Sequence, residues 1–172
     1  MLSRIAESLF WIGRYIERSD GTARILDVHL QLLLEDPWIE ENLACRSLLA
    51  VMGSDIPPDD HELTRADVLD ILAVYRTQPA SIAYSLGAAR ENARRAREVV
   101  SSEMWEALNT TYYAIPTRVR AASAHRFAGW VRERAAVAAV LGYPPASTDA
   151  MVNDYLRSAR RVRTVVERVF WE

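Results

Sequence analysis

Gly13-Arg14-Tyr15-Ile16-Glu17-Arg18-Ser19-Asp20 sits inside a proline-free stretch from Ser3 to Glu35, and the reading of that stretch decides the fold. Ile5, Leu9, Ile12, Ile16, Ala23, Leu30 and Leu34 recur at helical spacing, which predicts one long amphipathic helix. At about 100° per residue, Ser3, Glu7, Trp11, Arg14 and Arg18 fall on the opposite face, with Glu17 on the flank between the two. Apolar residues return on that second face at Ile25, Leu26, Leu32 and Leu33. The helix is therefore expected to have neighbours on several sides, with its Arg and Glu side chains partly inside a bundle. A charge placed there is costly unless paired and hydrogen-bonded, so the run is expected to be a structural ion network or a site for a charged ligand.

Working outward, Asp36-Pro37 ends this helix and is expected to start the next, with Asp36 as N-cap and Pro37 at the first helical position. That helix runs to Gly53 and carries Ile39, Leu43, Leu48, Leu49 and Met52, with Cys45 near the stripe as a structural thiol. Pro57-Pro58-Asp59-Asp60-His61 is a polar, turn-rich loop, and the sequence calls for no metal there. Thr64 with Asp67 forms a capping-box pattern that opens a short helix through Val68, Leu69, Leu72 and Tyr75, closed by Thr77-Gln78-Pro79.

Ser81 to Val100 is the second informative stretch. Ile82, Leu86, Ala89, Ala93, Ala96 and Val100 predict a helix whose alanines let another helix approach closely. Arg90, Arg94 and Arg97 form a basic row beside that stripe, with Glu91 and Glu98 on the next strip, so Arg94 and Glu98 are expected to pair. Such a row either cradles an anion through planar, paired guanidinium donors or is a salt-bridged flank. Ser102 is the expected cap of a following helix through Trp105, Leu108, Tyr112 and Ile115, interrupted at Pro116. A further helix from about Thr117 to Leu141 carries Val119, Phe127, Trp130, Val131 and Val137 and stops at Gly142-Tyr143-Pro144-Pro145. A last one opens at Thr148-Asp149, with Met151, Tyr155, Ala159, Val162, Val166 and Val169 or Phe170 inward and Arg157, Arg161 and Arg168 aligned. With no alternating β run, the expectation is an all-α bundle of about six or seven helices forming one domain over residues 1–172.

Half of the 172 residues are hydrophobic, enough for a sizeable core. The net charge of -2 argues against the uniform positive field of a general nucleic-acid binder. Every one of the 21 basic residues is arginine, which excludes Schiff-base chemistry, the P-loop lysine and Ser-x-x-Lys catalysis. A single cysteine forms no internal disulfide and suits a reducing cytoplasm, and no apolar run reaches membrane-spanning length. None of His29, His61 and His125 has a Glu three residues before it, as di-iron bundles require, and phosphate loops, nucleophile elbows and zincin motifs are missing too. The sequence calls for no cofactor.

The opening Met1-Leu2-Ser3-Arg4-Ile5-Ala6-Glu7-Ser8-Leu9-Phe10-Trp11-Ile12-Gly13-Arg14-Tyr15-Ile16-Glu17-Arg18 resembles the bacterial alpha-E domain family, named for a helical domain with a Glu-Arg motif. Ala89-Arg90-Glu91-Asn92-Ala93-Arg94 and Ser101-Ser102-Glu103-Met104-Trp105-Glu106-Ala107-Leu108-Asn109 agree with it in order, so the resemblance covers residues 1–109. By the motif, Glu17 and Arg18 carry over, with Arg14, Arg90, Glu91, Asn92 and Arg94 as companions. Family members are usually longer, with a second half that opens on its own Gly-Arg-Tyr-x-Glu-Arg run. Here Ala159 to Thr164 lacks the pair, which implies a short or partial member, and a homodimer would complete the bundle. The resemblance further implies a cytoplasmic protein encoded beside an ATP-grasp ligase-like protein and a transglutaminase-like protease, hence a peptide-modifying system.

Three functions follow as expectations. The first is a non-catalytic accessory module, a helical bundle that binds the ligase-like partner or its acidic peptide, with its buried arginines holding a carboxylate or phosphate. The second is an enzyme with Glu7 or Glu17 as general acid or base and arginines stabilising negative charge. The third is a phosphate- or RNA-binding module built on the arginine rows.

Overall fold

The computed structural model describes residues 2–36, 38–58, 60–121 and 124–141. Among them are six α-helices and no strand: α1 (Leu2–Glu35), α2 (Glu41–Met52), α3 (Arg65–Leu69), α4 (Ile82–Arg95), α5 (Ser102–Ala121) and α6 (Ala124–Leu141). Residues Asp70–Val74 continue α3 as one wider π turn.

Four of these helices form the body, each packed on two others in the ring α1, α4, α5, α6. The Thr22 hydroxyl donates to the Ala80 carbonyl at 3.1 Å and the Tyr15 ring meets Tyr84, so α4 runs antiparallel to α1. Arg90 meets Asn109 and Gly87 faces Tyr112, which sets α5 antiparallel to α4. Arg118 stacks on Trp130 just across the α5–α6 connection, and Arg132 reaches back to Asp20, closing an up-down-up-down bundle. Small residues permit the tightest seam. Ala83, Ala89 and Ala93 are buried along α4, and a Cβ added at Gly87 would stand 3.1 Å from the Tyr112 ring.

The 34 residues of α1 form the long staff of this bundle. Its inner line, Ile12, Ile16, Ala23, Leu26 and Leu30, is at most 4% exposed. Leu26 thus belongs to the core, not to the second face where the spacing placed it, because the strip covered by α4 and α6 is wide. Leu9 and Leu34, expected in the core, are 41% and 70% exposed at the edge and the last turn of that strip.

A smaller unit of α2, α3 and their loop packs beside the body. Arg46 organises it: its guanidinium donates to the carbonyls of Pro57 (2.9 Å), Pro58 (2.7 Å) and His61 (2.7 Å), and its Nε to Asn42. These bonds fix the loop that the sequence showed only as polar. Glu41 holds both the backbone N–H and the side chain of Arg65. The Thr64–Asp67 capping box is present, and Gly53 closes α2 at φ 64°, where a side chain would be strained. Cys45 is fully buried, and burial pushes its thiol up to about 11, as suits a structural residue.

Several boundaries differ from the sequence reading. The Asp36 carboxylate accepts the Trp38 N–H at 3.0 Å in a turn, and α2 starts later, at Glu41; Pro37 lies outside the described residues. The α4 helix ends at Arg95, not Val100, because the N–H groups of Val99 and Val100 both turn back to the Ala96 carbonyl. Arg94 meets Glu91 at 2.7 Å, not Glu98, since the helix that would have aligned Glu98 has already stopped. Ser101, not Ser102, accepts the Met104 N–H and starts α5. Pro116 lies inside α5, which continues to Ala121; proline removes one backbone bond, and packing of the neighbouring Ile115, 0% exposed, holds the helix together. The turn at residues 142–145, the last expected helix and its row Arg157, Arg161 and Arg168 lie outside the described residues.

Candidate functional site

The site residues expected from the sequence separate into two groups on different surfaces. Glu7, Arg14, Glu17 and Arg18 are all exposed and lie on the outer side of α1, away from Ile12, Ile16 and Ala23. This corrects the expectation that the charged run is partly enclosed: both sides of the helix carry apolar residues, but among the described residues only one is covered. Arg14 Nη1 donates to Glu17 Oε2 at 2.8 Å, with side chains 62% and 71% exposed. Such a pair contributes little to stability, about 0.3–0.5 kcal/mol. Arg18 makes no hydrogen bond or ion pair among the described residues. Next to the motif, Phe10 is 63% and Trp11 39% exposed, their rings edge to face at 5.4 Å. On the flank towards α6, Asp20 accepts from Arg24 at 2.7 Å and faces Arg132 at 3.8 Å, which ties α1 to α6.

Arg90, Glu91, Asn92, Arg94 and Arg97 lie on and just beyond the C-terminal half of α4. Glu91 is shared by Arg94, at 2.7 and 3.0 Å, and Arg95, at 3.3 Å. The Arg94 hydrogen bond and charge pull the Glu91 carboxyl down to about 2 and push the Arg94 guanidinium up. Asn92 donates to the Ala88 carbonyl one turn back, and Arg97 is exposed. These residues do what the end of a helix asks of arginines, offsetting its negative dipole.

Arg90 is different. Its Nε donates to Asn109 Oδ1, and its guanidinium carbon lies 5.4 Å from the Trp105 ring, 5.8 Å from Tyr112 and 5.4 Å from Tyr113. Arg76 covers the Tyr112 ring at 4.9 Å. Asn109 in turn donates to the Trp105 carbonyl at 2.9 Å, so the amide orientation is fixed. Each cation–π contact of this half-buried kind is worth about 1 kcal/mol. The sequence pointed to Arg90, and Asn109 closes its third family-like stretch. The aromatic cage became visible only with the register of α4 on α5. No hydrogen bond or ion pair joins the α1 group to the α4 group among the described residues.

Burial lowers the pKa of His29 on α1, whose buried Nε2 has no hydrogen-bond partner among the described residues. Among the described residues no three His, Cys, Asp or Glu side chains gather as metal ligands, and no helix is long and apolar enough to cross a membrane.

Residues 1–144 match the family model of Alpha-E, described as a predicted alpha-helical domain with a conserved ER motif. The chain belongs to the Alpha-E family. Comparison with curated proteins and with solved structures gave no match. Two Glu-Arg pairs fall within the Alpha-E match, Glu17-Arg18 on α1 and Glu133-Arg134 on α6.

Proposed function

We propose that this Alpha-E chain is a non-catalytic, cytoplasmic accessory protein whose outer α1 face, around Glu17-Arg18, docks a partner protein. One observation carries the reading: Glu7, Arg14, Glu17 and Arg18 share an exposed face with Phe10 and Trp11, and among the described residues the ion pair on that face, Arg14 with Glu17, stays within α1 and stands in solvent. Arginine and large aromatic side chains side by side on a rigid helix are the composition of a protein-docking patch. The partner that the family resemblance implies is an ATP-grasp ligase-like protein, or a transglutaminase-like protease, in a peptide-modifying system. A general acid or base is less well served here, because Glu17 is 71% exposed and already paired with Arg14.

The test is co-purification of the chain with the ATP-grasp ligase-like protein of its own genome. Arg18→Ala and Glu17→Gln should each lower capture while the melting temperature stays within about 2 °C of the parent, as expected for surface substitutions. Unchanged capture by both variants would remove the α1 face as the docking site.

A further inference from the structure

The arginines of this molecule differ in what answers their charge. Arg14, Arg24, Arg65, Arg94 and Arg95 each face a carboxylate, and Arg46 donates to loop carbonyls. Arg76 and Arg90 face aromatic rings instead. Their guanidinium carbons lie 4.9 Å and 5.8 Å from the centre of one ring, that of Tyr112, so two positive charges share a single aromatic side chain. Among the described residues neither forms an ion pair, and Glu91, the next residue after Arg90, is taken up by Arg94 and Arg95.

Both groups are held in place with donors to spare. Arg90 Nε donates to Asn109 Oδ1, and Asn109 is itself tied to the Trp105 carbonyl at 2.9 Å. Among the described residues this leaves both Nη groups of Arg90 without a hydrogen-bond partner. A guanidinium laid against a ring keeps its N–H edge available to a paired acceptor. Next to Arg76 the backbone is pinned: the Tyr75 N–H donates to the Asp70 carbonyl at 3.0 Å, and the Tyr75 carbonyl accepts the Ser81 hydroxyl. The Tyr112 ring lies against Gly87 of α4, and Tyr113, 60% exposed, meets it edge to face at 5.2 Å. Two like charges beside one ring repel, and an anion that touches both relieves the repulsion. A pair of positive charges matches a dianion better than a single carboxylate, and the guanidinium edge fits phosphate oxygens two at a time.

We propose that Arg90 and Arg76, set against Tyr112 and Tyr113, form a binding site for a small phosphate monoester in its dianionic form, separate from the Glu17-Arg18 face. The two Nη groups of Arg90 take a pair of phosphate oxygens, Arg76 supplies the second positive charge, and the exposed Tyr113 ring offers an apolar surface to the carbon body of the ester. Of the basic row expected from the sequence, Arg90 belongs to this site and Arg94 does not, because Glu91 already neutralises Arg94. The partner that completes the site is Arg76, from the loop before α4, which the row did not contain.

Isothermal titration of the full chain with phenyl phosphate and with benzoate tests it, since the two probes share a ring and differ in the charge of the head group. Phenyl phosphate should bind at least about tenfold more tightly than benzoate. Arg76→Gln and Arg90→Lys should each weaken phenyl phosphate by about tenfold or more, the second although it keeps the charge, because an ammonium offers no planar pair of donors. Arg76 is exposed, so Arg76→Gln should melt within about 2 °C of the parent and decides the matter if Arg90→Lys folds poorly. Arg95→Gln removes the same charge from the same end of α4 and should leave the affinity within about twofold of the parent. No binding of phenyl phosphate at millimolar concentration, equal affinity for benzoate, unchanged affinity in Arg76→Gln, or an equal loss in Arg95→Gln overturns the proposal.

Discussion

The two sides of α1 are built from the same kinds of residue and meet opposite fates. On the inner side Ile12, Ile16, Ala23, Leu26 and Leu30 are closed off by α4 and α6, and on the outer side Ile25, Val28 and Leu32 face solvent beside Arg14, Glu17 and Arg18. Apolar burial stabilises the fold only where neighbours remove the surface from water. Among the described residues no helix covers the side that carries the charged motif, and the proposed docking role rests on that.

The largest expected contrast comes from truncating one residue on each side. Leu26→Ala should cost about 3 kcal/mol and lower the melting temperature by roughly 10 °C, whereas Val28→Ala, 68% exposed, should change stability by no more than about 0.5 kcal/mol. Denaturant titration of both variants measures it, and equal losses would show that the outer side is as well covered as the inner one. Glycines give the next contrast. Gly87→Ala drives a methyl to 3.1 Å from the Tyr112 ring and should destabilise by about 1–2 kcal/mol, while Gly13→Ala, with open space around it, should stabilise by about 0.5–1 kcal/mol.

Smaller effects follow from pH. His29 is partly buried and its folded pKa lies below 6.5, so the unfolded chain binds the proton more readily. Stability should fall as pH drops through about 6.5 towards the folded value, and His29→Leu should flatten that slope in thermal melts taken from pH 7.5 to 5. Glu91 works in another window. Its carboxyl is held at about 2 against an ordinary 4.5, so its pairing with Arg94 is present above 4.5 and lost as pH falls towards 2. Glu91→Gln should remove only a slight part of the acid dependence, because the pair stands in solvent.

The helices themselves were legible, because proline-free stretches with a 3.6-residue period leave few alternatives. The Thr64–Asp67 capping box and the Gly53 stop were legible for the same local reason, since each depends on residues within one turn. What depended on distant partners was not. Which apolar side of α1 is covered follows from where α4 and α6 pack, and the spacing alone put Leu26 on the wrong one. Arg46 reads as an ordinary helix arginine until the loop carbonyls of Pro57, Pro58 and His61 come within its reach. The cage of Trp105, Tyr112 and Tyr113 around Arg90 needs the α4–α5 register, although Arg90 and Asn109 were each visible in family-like stretches.

The central claim is that the outer face of α1 serves binding and not folding, and a paired readout on Arg18→Ala tests it most directly. Capture of the ligase-like protein and the melting temperature are measured on the same preparation. The account predicts at least about a tenfold loss of capture, the scale of an interface arginine worth 1.4 kcal/mol or more, with a melting temperature within about 2 °C of the parent. Full capture, or a melting temperature lowered as far as that of Leu26→Ala, would contradict it.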